Sequence, residues 1–409
     1  MNIKRTLLEE FPPAPIDPNE IICVKCIGDV VLKRLMNGRS KEICSVCGSG
    51  ENFCVDAYFL AKISQDVIRK NFKICTKVPS ENNFHLREIV SKVIQIKDER
   101  FSQIVASYLE TSEGNSKGDQ FFCKSYSYSA LTLPFKSKRK EQDYLQEQWD
   151  AIALSLTHRQ RYFNDEAARY FELLFDEAVK TEHKGLFKVA LATVTILKAG
   201  FIFYRARKVE NQADKGEMQK FPDRALGAPP KERAAHNRMN SSGVPLFYAA
   251  SDRNTSIAEV RPSIGDEVAI CQFQSERALK FFDFCGLNMH RSHPLLSYFI
   301  DDYAERKDRR NFLAYLHETI AHPVTSEPSR YIVTQAMAEY LRYKHKENFD
   351  GIIFKSVQHS GGINYVIFDE SRSHKDVTKL NWQPSFAVKA KGKTEIVTIS
   401  KIQYSGNWI

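Results

Sequence analysis

NRMNSSGVPLFYAASDRNTSIAEVRP, residues 237–262, passes from a polar turn into an apolar strand and then into a short helix. Gly243-Val-Pro-Leu-Phe-Tyr248 reads as a strand that ends in an aromatic side chain, with Leu246–Ala249 at its centre. A helix then starts near Asn254 and carries Glu259. A lone glutamate on a short helix ordinarily faces water. Glu259 follows Ile257 and Ala258 and precedes Val260, so its exposure stays open at this level.

Working outward, the same texture of short strands, turns and helices runs from Phe201 to the end of the sequence. Phe201–Tyr204, Val268–Phe273, Lys280–Phe284, Gly351–Phe354 and Tyr365–Phe368 are expected as strands. Tyr331–Arg342 places Ile332, Val333, Ala336, Met337, Tyr340 and Leu341 on one helical face. Lys208–Asn237, with three prolines and two glycines, is expected to be a long loop, and long loops inside compact domains are often functional. Tyr204-Arg-Ala-Arg207 stands at the end of an apolar strand where that loop begins. Between Phe201 and Asn240 there are nine basic and five acidic residues, which suits a phosphate or pyrophosphate and equally suits a solvated basic loop. Further on, Phe354-Lys-Ser356 leads through His359 to Gly361-Gly-Ile-Asn364, where the paired glycines permit either a sharp turn or close approach to a ligand. Walker, GxGxxG and HExxH motifs are missing from the sequence, which argues against several common enzyme classes.

At 409 residues, with 43% hydrophobic and 27% charged residues, the chain has material for two or three globular domains. Three blocks are expected: 1–55, 56–200 and 201–409. The first holds Cys23-x-x-Cys26 and, after 17 residues, Cys44-x-x-Cys47, the spacing of a zinc ribbon. Four thiolates close the coordination sphere, so a metal held there is structural. Cys54, Cys75, Cys123, Cys271 and Cys285 lack such spacing and are expected to be buried small apolar residues. The ribbon also carries Lys25, Lys33, Arg34, Arg39 and Lys41, a face for nucleic acid or simply for solvent.

The second block is expected to be mainly helical. Asn164 is a good N-cap, Asp165 and Glu166 follow it, and Ala167, Tyr170, Phe171, Leu174 and Ala178 recur at helical spacing. A second apolar segment, Leu186–Lys198, is expected to continue this helical block and to stop at Gly200. Lys136, Lys138, Arg139 and Lys140 are expected in a solvated loop. A net charge of +9 permits a polyanionic partner without requiring one. No apolar run is long enough to span a bilayer, and the opening MNIKRTLLEEFPPAPIDP has acids and prolines where a signal peptide is apolar, so a cytoplasmic protein without membrane partners is expected.

FYRAR at 203–207, the stretch at 237–262, YIVTQAMAEYLR at 331–342 and DGIIFKSVQHSGGINYVIF at 350–368 together resemble the RES domain, over roughly half of the chain. The first two blocks resemble the zinc-ribbon and HEPN-like helical region that accompanies some RES domains, although the helical block lacks an Arg-x(4–6)-His spacing. The resemblance implies an α+β chain whose C-terminal domain has a mixed α/β, ADP-ribosyltransferase-like fold. It implies a toxin that degrades NAD⁺ at the nicotinamide–ribose bond, by phosphorolysis or hydrolysis, and that is held by an antitoxin or other regulatory protein. In that family Arg205 matches the arginine that holds NAD phosphate, and Arg238 a second anion contact. Tyr248 matches the tyrosine that packs on the nicotinamide end, Glu259 the glutamate at the nicotinamide ribose, and Ser356 the serine near the scissile bond or phosphate. This sequence departs from the pattern in a helical insertion around His290–Glu327, and in Lys355, where a smaller residue or proline is expected. Two other readings stay open: transfer of ADP-ribose to a protein or nucleic acid, and a zinc-ribbon nucleic-acid-binding protein whose RES-like domain is inert.

Overall fold

A computed structural model describes residues 21–37, 39–75, 83–112, 121–123, 125–131, 147–180, 182–184, 189–191, 193–288, 295–321, 331–371 and 382–402. The basic cluster 136–140 and both ends of the 290–327 insertion lie outside them. The fold is α+β. No described helix is long and apolar enough to cross a membrane. The chain divides into two compact units, Met1–Lys140 with Leu295–Lys307, and Glu141–Pro294 with Asp308–Ile409.

In the first unit, strand β1 (Ile21–Cys23) pairs antiparallel with β2 (Cys54–Asp56). Helix α1 (Val30–Met36) lies between them in sequence and is capped by Asp29, whose carboxylate accepts from the amides of Val31 and Leu32. Helices α2 (Ala57–Asn71), α3 (Leu86–Ile94) and α4 (Glu99–Ser112) follow, with β3 (Phe72–Cys75), β4 (Phe84–His85) and β5 (Ser127–Ala130) in a small antiparallel sheet of order β3-β5-β4. One apolar core runs from Ile21, Ile22 and Leu32 through Leu60 and Ile89 to Phe101 and Tyr128. The expected boundary at residue 55 is therefore not a break in packing: the cysteine knuckles share a core with the helices that follow.

In the second unit a helical stretch over 147–159 precedes α5 (Asp165–Val179). Asn164 caps it as expected, its Oδ1 accepting from the Ala167 amide at 2.8 Å. The face bearing Ala167, Phe171, Leu174, Phe175 and Ala178 is buried, and it packs in one core with Phe282, Val333, Met337, Ile352 and Val366 of the C-terminal block. The boundary expected at residue 200 is thus corrected, because the apolar stripe of α5 finds its cover beyond that point. Leu186–Lys198 is also corrected. Its described residues form β7 (Val189–Leu191), which pairs with β6 (Glu182–Lys184), and β8 (Val194–Leu197), as its β-branched residues favour.

β8 is the edge of a mixed eight-stranded sheet. The other strands are β9 (Ile202–Lys208), β10 (Phe247–Ala250), β11 (Glu267–Ser275), β12 (Leu279–Asp283), β13 (Gly351–Lys355), β14 (Ile363–Ile367) and β15 (Val388–Thr398). Their order is β15-β11-β9-β10-β14-β13-β12-β8, and β12 with β13 is the parallel pair. The long loop expected at 208–237 instead contains α6 (Gln212–Lys220), α7 (Pro222–Ala225) and a 3-10 turn at Lys231–Arg233. Helix α6 buries Met218 alone, so its sequence has no apolar stripe to announce it. Helices α8 (Arg253–Val260) and α10 (Tyr331–Tyr343) belong to this unit, as does α9 (Tyr303–Ala321) from Asp308 onward, and Phe312, Leu313 and Leu316 of the insertion enter the same core as α5.

Phe175 meets the Phe282 ring edge-on at 5.0 Å and stacks on Tyr340 at 5.8 Å. Phe175→Ala should cost about 3–5 kcal/mol in denaturant unfolding of the C-terminal unit. An unchanged midpoint would contradict the assignment of α5 to that core.

Candidate active site

One row of the sheet organises the site. Tyr204 of β9 lies opposite Ala250 of β10, Ala250 opposite Asn364 of β14, and Asn364 opposite Phe354 of β13. Residues opposite one another in register share a face, and all four line a cavity of about 370 Å³. Helix α8 packs over the same face through Ile257 and Val260, which lie with Tyr204 against the cluster of Ala206, Val268 and Ile270. Its N-cap is Asp252, two residues before the expected start, with Oδ1 accepting from the Thr255 amide at 2.8 Å.

This packing brings Glu259, Arg238, Tyr248 and Arg205 to one cavity. Glu259 is exposed to that space, and its Oε1 accepts from Ser356 Oγ and from Asn364 Nδ2, both at 2.7 Å. Oε2 has no hydrogen-bond partner among the described residues. Ser356 Oγ also accepts from the amides of Gln358 and His359, each at 3.1 Å. Its single proton goes to Glu259 and its oxygen is otherwise filled, so Ser356 acts here by holding the carboxylate.

Tyr248 is held in the same way. Its hydroxyl donates to Asn240 Oδ1 at 2.7 Å, and Asn240 Nδ2 reaches three backbone carbonyls, those of Ala235, Ser241 and Val244. Burial pushes the Tyr248 phenol well above its ordinary value, so it stays neutral. Helix α10 braces the turn that carries Arg238: Thr334 Oγ1 donates to the Arg238 carbonyl, and Gln335 Nε2 to the carbonyls of Asn237 and Asn240 at 2.7 and 2.9 Å. Burial lowers Arg238, while Tyr331, Glu259 and Tyr248 favour its charged form and Arg261 opposes it.

Arg205 differs from the simple expectation. By strand alternation it belongs with Phe203, on the face opposite Tyr204. Strands β9 and β10 touch in register only at Tyr204 and Ala250. Beyond that pair Arg205 Nη1 donates to the Tyr248 carbonyl at 2.6 Å, and the guanidinium lies 4.9 Å from the centre of the Phe247 ring. Its Nε is buried without a hydrogen-bond partner. Burial, with Arg207 adding repulsion, pulls it down to about 9, so it is still a cation at neutral pH. A buried cation with an unfilled donor favours an anion beside it.

Two cavity cations were given no role by sequence reasoning. Arg261 follows Glu259 by two residues and adopts a left-handed conformation, φ 51°, at the end of α8. Lys355, the family departure, also lines the cavity. Among the described lining residues, the charged side chains are four cations, Arg205, Arg238, Arg261 and Lys355, and a single carboxylate, Glu259. No described residue of the insertion lines the cavity. Asn364 was the main omission. It sits at the end of the quoted Gly-Gly-Ile-Asn, and only the sheet register shows that it meets Glu259.

Elsewhere, the four cysteine sulfurs lie within 4.8 Å of one another. Cys23–Cys26, Cys23–Cys47 and Cys26–Cys44 are separated by 3.7, 3.6 and 3.9 Å. A tetrahedron of thiolates around zinc has edges of about 3.8 Å, so this cluster fits a zinc ribbon. Cys54 and Cys271 are buried as expected, whereas Cys75, Cys123 and Cys285 are half-buried.

Residues 202–386 match the family model of the RES domain. A RES domain therefore lies in the C-terminal part of the chain, and its matched span contains every residue of the cavity. No curated protein matches the chain.

Gly362 closes the turn before Asn364. A Cβ there would run into Thr255 Oγ1 and lie 2.8 Å from its Cγ2. Gly362→Ala should destabilise the domain by about 1–3 kcal/mol through overpacking. Denaturant unfolding checks this, and full stability in the variant would mean that the turn and α8 are not in contact.

Proposed function

We propose that the C-terminal domain cleaves the nicotinamide–ribose bond of NAD⁺ and acts as a RES-type toxin. The observation that carries this reading is Glu259, with one carboxylate oxygen fixed by Ser356 and Asn364, in a cavity whose other charged lining residues are all cations. Nicotinamide leaves as a neutral base from a cationic pyridinium, so cleavage develops positive charge on the ribose and needs no strong acid. A fixed carboxylate stabilises that charge, or takes the ribose hydroxyls on its open oxygen, without reorganising as the bond breaks. Arg238 and Arg261, with Arg205 behind them, neutralise the pyrophosphate, and this remote binding can be used at the reacting bond. Tyr248, neutral and tied to Asn240, offers its ring as a wall for the nicotinamide end.

Water as acceptor gives ADP-ribose, and orthophosphate gives ADP-ribose 1″-phosphate. A cavity with four cations accommodates an anionic acceptor as well as a pyrophosphate. In the N-terminal unit, Cys23, Cys26, Cys44 and Cys47 would hold a structural Zn²⁺ that ties β1 and the second knuckle together.

Purified protein should consume NAD⁺ and release nicotinamide, and mass spectrometry of the second product, with and without phosphate, identifies the acceptor. Glu259→Gln should lower turnover at least about 100-fold. NAD⁺ left intact by folded protein in the presence of phosphate would sink the reading, and label retained on a macromolecule would redirect it to ADP-ribosyl transfer. For the metal, elemental analysis should find one zinc per chain, lost in Cys44→Ser together with stability of the N-terminal unit; a zinc-free, equally stable protein would remove the metal from the account.

A further inference from the structure

The turn that presents Ser356 to Glu259 is tied to helix α8 by a side chain with no assigned role. His359 Nδ1 lies 2.9 Å from Thr255 Oγ1, and Thr255 Oγ1 lies 2.6 Å from Asp252 Oδ2. Asp252 is itself the N-cap of α8 and receives Ser251 Oγ at 2.8 Å. The turn closes on itself, the Ser356 amide donating to the Gly362 carbonyl at 2.9 Å and the Gly362 amide to the His359 carbonyl at 3.0 Å. The His359 amide is one of the two that fix Ser356 Oγ.

Proton counting gives this chain a direction. Although burial pushes Asp252 up, hydrogen bonds from Thr255 and Ser251 outweigh it and hold the carboxyl below its usual range. Asp252 is then ionised and can only accept. Thr255 has one hydroxyl proton, and at 2.6 Å it goes to Asp252. Thr255 Oγ1 must therefore accept from His359, so Nδ1 is a nitrogen that carries a proton. The order is His359 Nδ1–H to Thr255 to Asp252, from the turn that holds Ser356 to the cap of the helix that carries Glu259.

We propose that His359 is a positioning residue: through Thr255 and Asp252 it locks the 356–362 turn onto α8 and so sets the Ser356–Glu259 hydrogen bond. It does not touch the cavity itself, since Val357 and Gln358 line it and His359 does not. Misplacing a catalytic group by a fraction of its hydrogen-bond length reduces turnover more than binding, because the pyrophosphate anchors are untouched. This inference rests on the NAD⁺-cleaving reading for its kinetic arm alone.

The test combines steady-state NAD⁺ consumption with imidazole nitrogen NMR on the full chain. His359→Ala and Thr255→Val should each lower kcat about tenfold with KM changed less than about twofold. The double variant should be no worse than the poorer single, because both break one chain of bonds. His359→Asn keeps an N–H near the Nδ1 position and should recover most of kcat. The His359 ring of the unmodified protein should show the Nδ1–H form, and Thr255→Val should release that preference. Normal kcat in His359→Ala, additive losses in the double variant, losses that follow only the folded fraction, or an Nε2–H ring would each overturn the proposal. If unmodified protein leaves NAD⁺ intact, the enzymatic reading fails, and the ring's protonation still decides the relay.

Discussion

Two hydrogen bonds to one oxygen hold the C-terminal cleft in order. Ser356 from the turn after β13 and Asn364 from β14 both reach Glu259 Oε1 at 2.7 Å, so a helix residue is fastened to the sheet at two points. Each donor depends on a further element. Ser356 is oriented by two amides of its own turn, and Asn364 by a register row that runs through four strands. Hydrogen bonds to a charged acceptor are each worth about 1.5–3 kcal/mol, so this arrangement can hold the carboxylate against the pull of solvent. Its consequence is geometric: one oxygen is used for placement and the other is left for a ligand.

The rest of the cleft follows from the separation of β9 and β10 beyond a single pair in register. That opening admits the Arg205 guanidinium to the Tyr248 carbonyl and gives the cavity a cationic floor, while Arg238, Arg261 and Lys355 supply charge from its walls. Arg205 therefore does two things at once. It satisfies a carbonyl that a continuous sheet would have paired, and it lends a field to whatever anion enters.

Much of this was legible in the sequence because it is local. The strands around Tyr248, Ile270, Phe282, Ile353 and Val366, the α10 stripe, the Asn164 cap and the cysteine spacing all depend on neighbours within a few residues. What depends on distant partners was not. The Lys and Gly residues of β15 hide its alternation, as suits an edge strand. Helix α6 has no apolar stripe, and α5 gives no hint that it is covered by the C-terminal sheet. The direction of Arg205 could have been read from its alternation with Phe203, whereas the reach of Asn364, Arg261 and His359 to one another's neighbourhood required the fold.

Cleavage at the nicotinamide ribose depends on where a dinucleotide lies in this cleft. The most direct measurement is a crystal structure of the Glu259→Gln protein with NAD⁺. It should show the nicotinamide ribose hydroxyls at residue 259 and the pyrophosphate among Arg205, Arg238 and Arg261. A dinucleotide bound elsewhere, or one running through the cavity with its ribose away from residue 259, would contradict it.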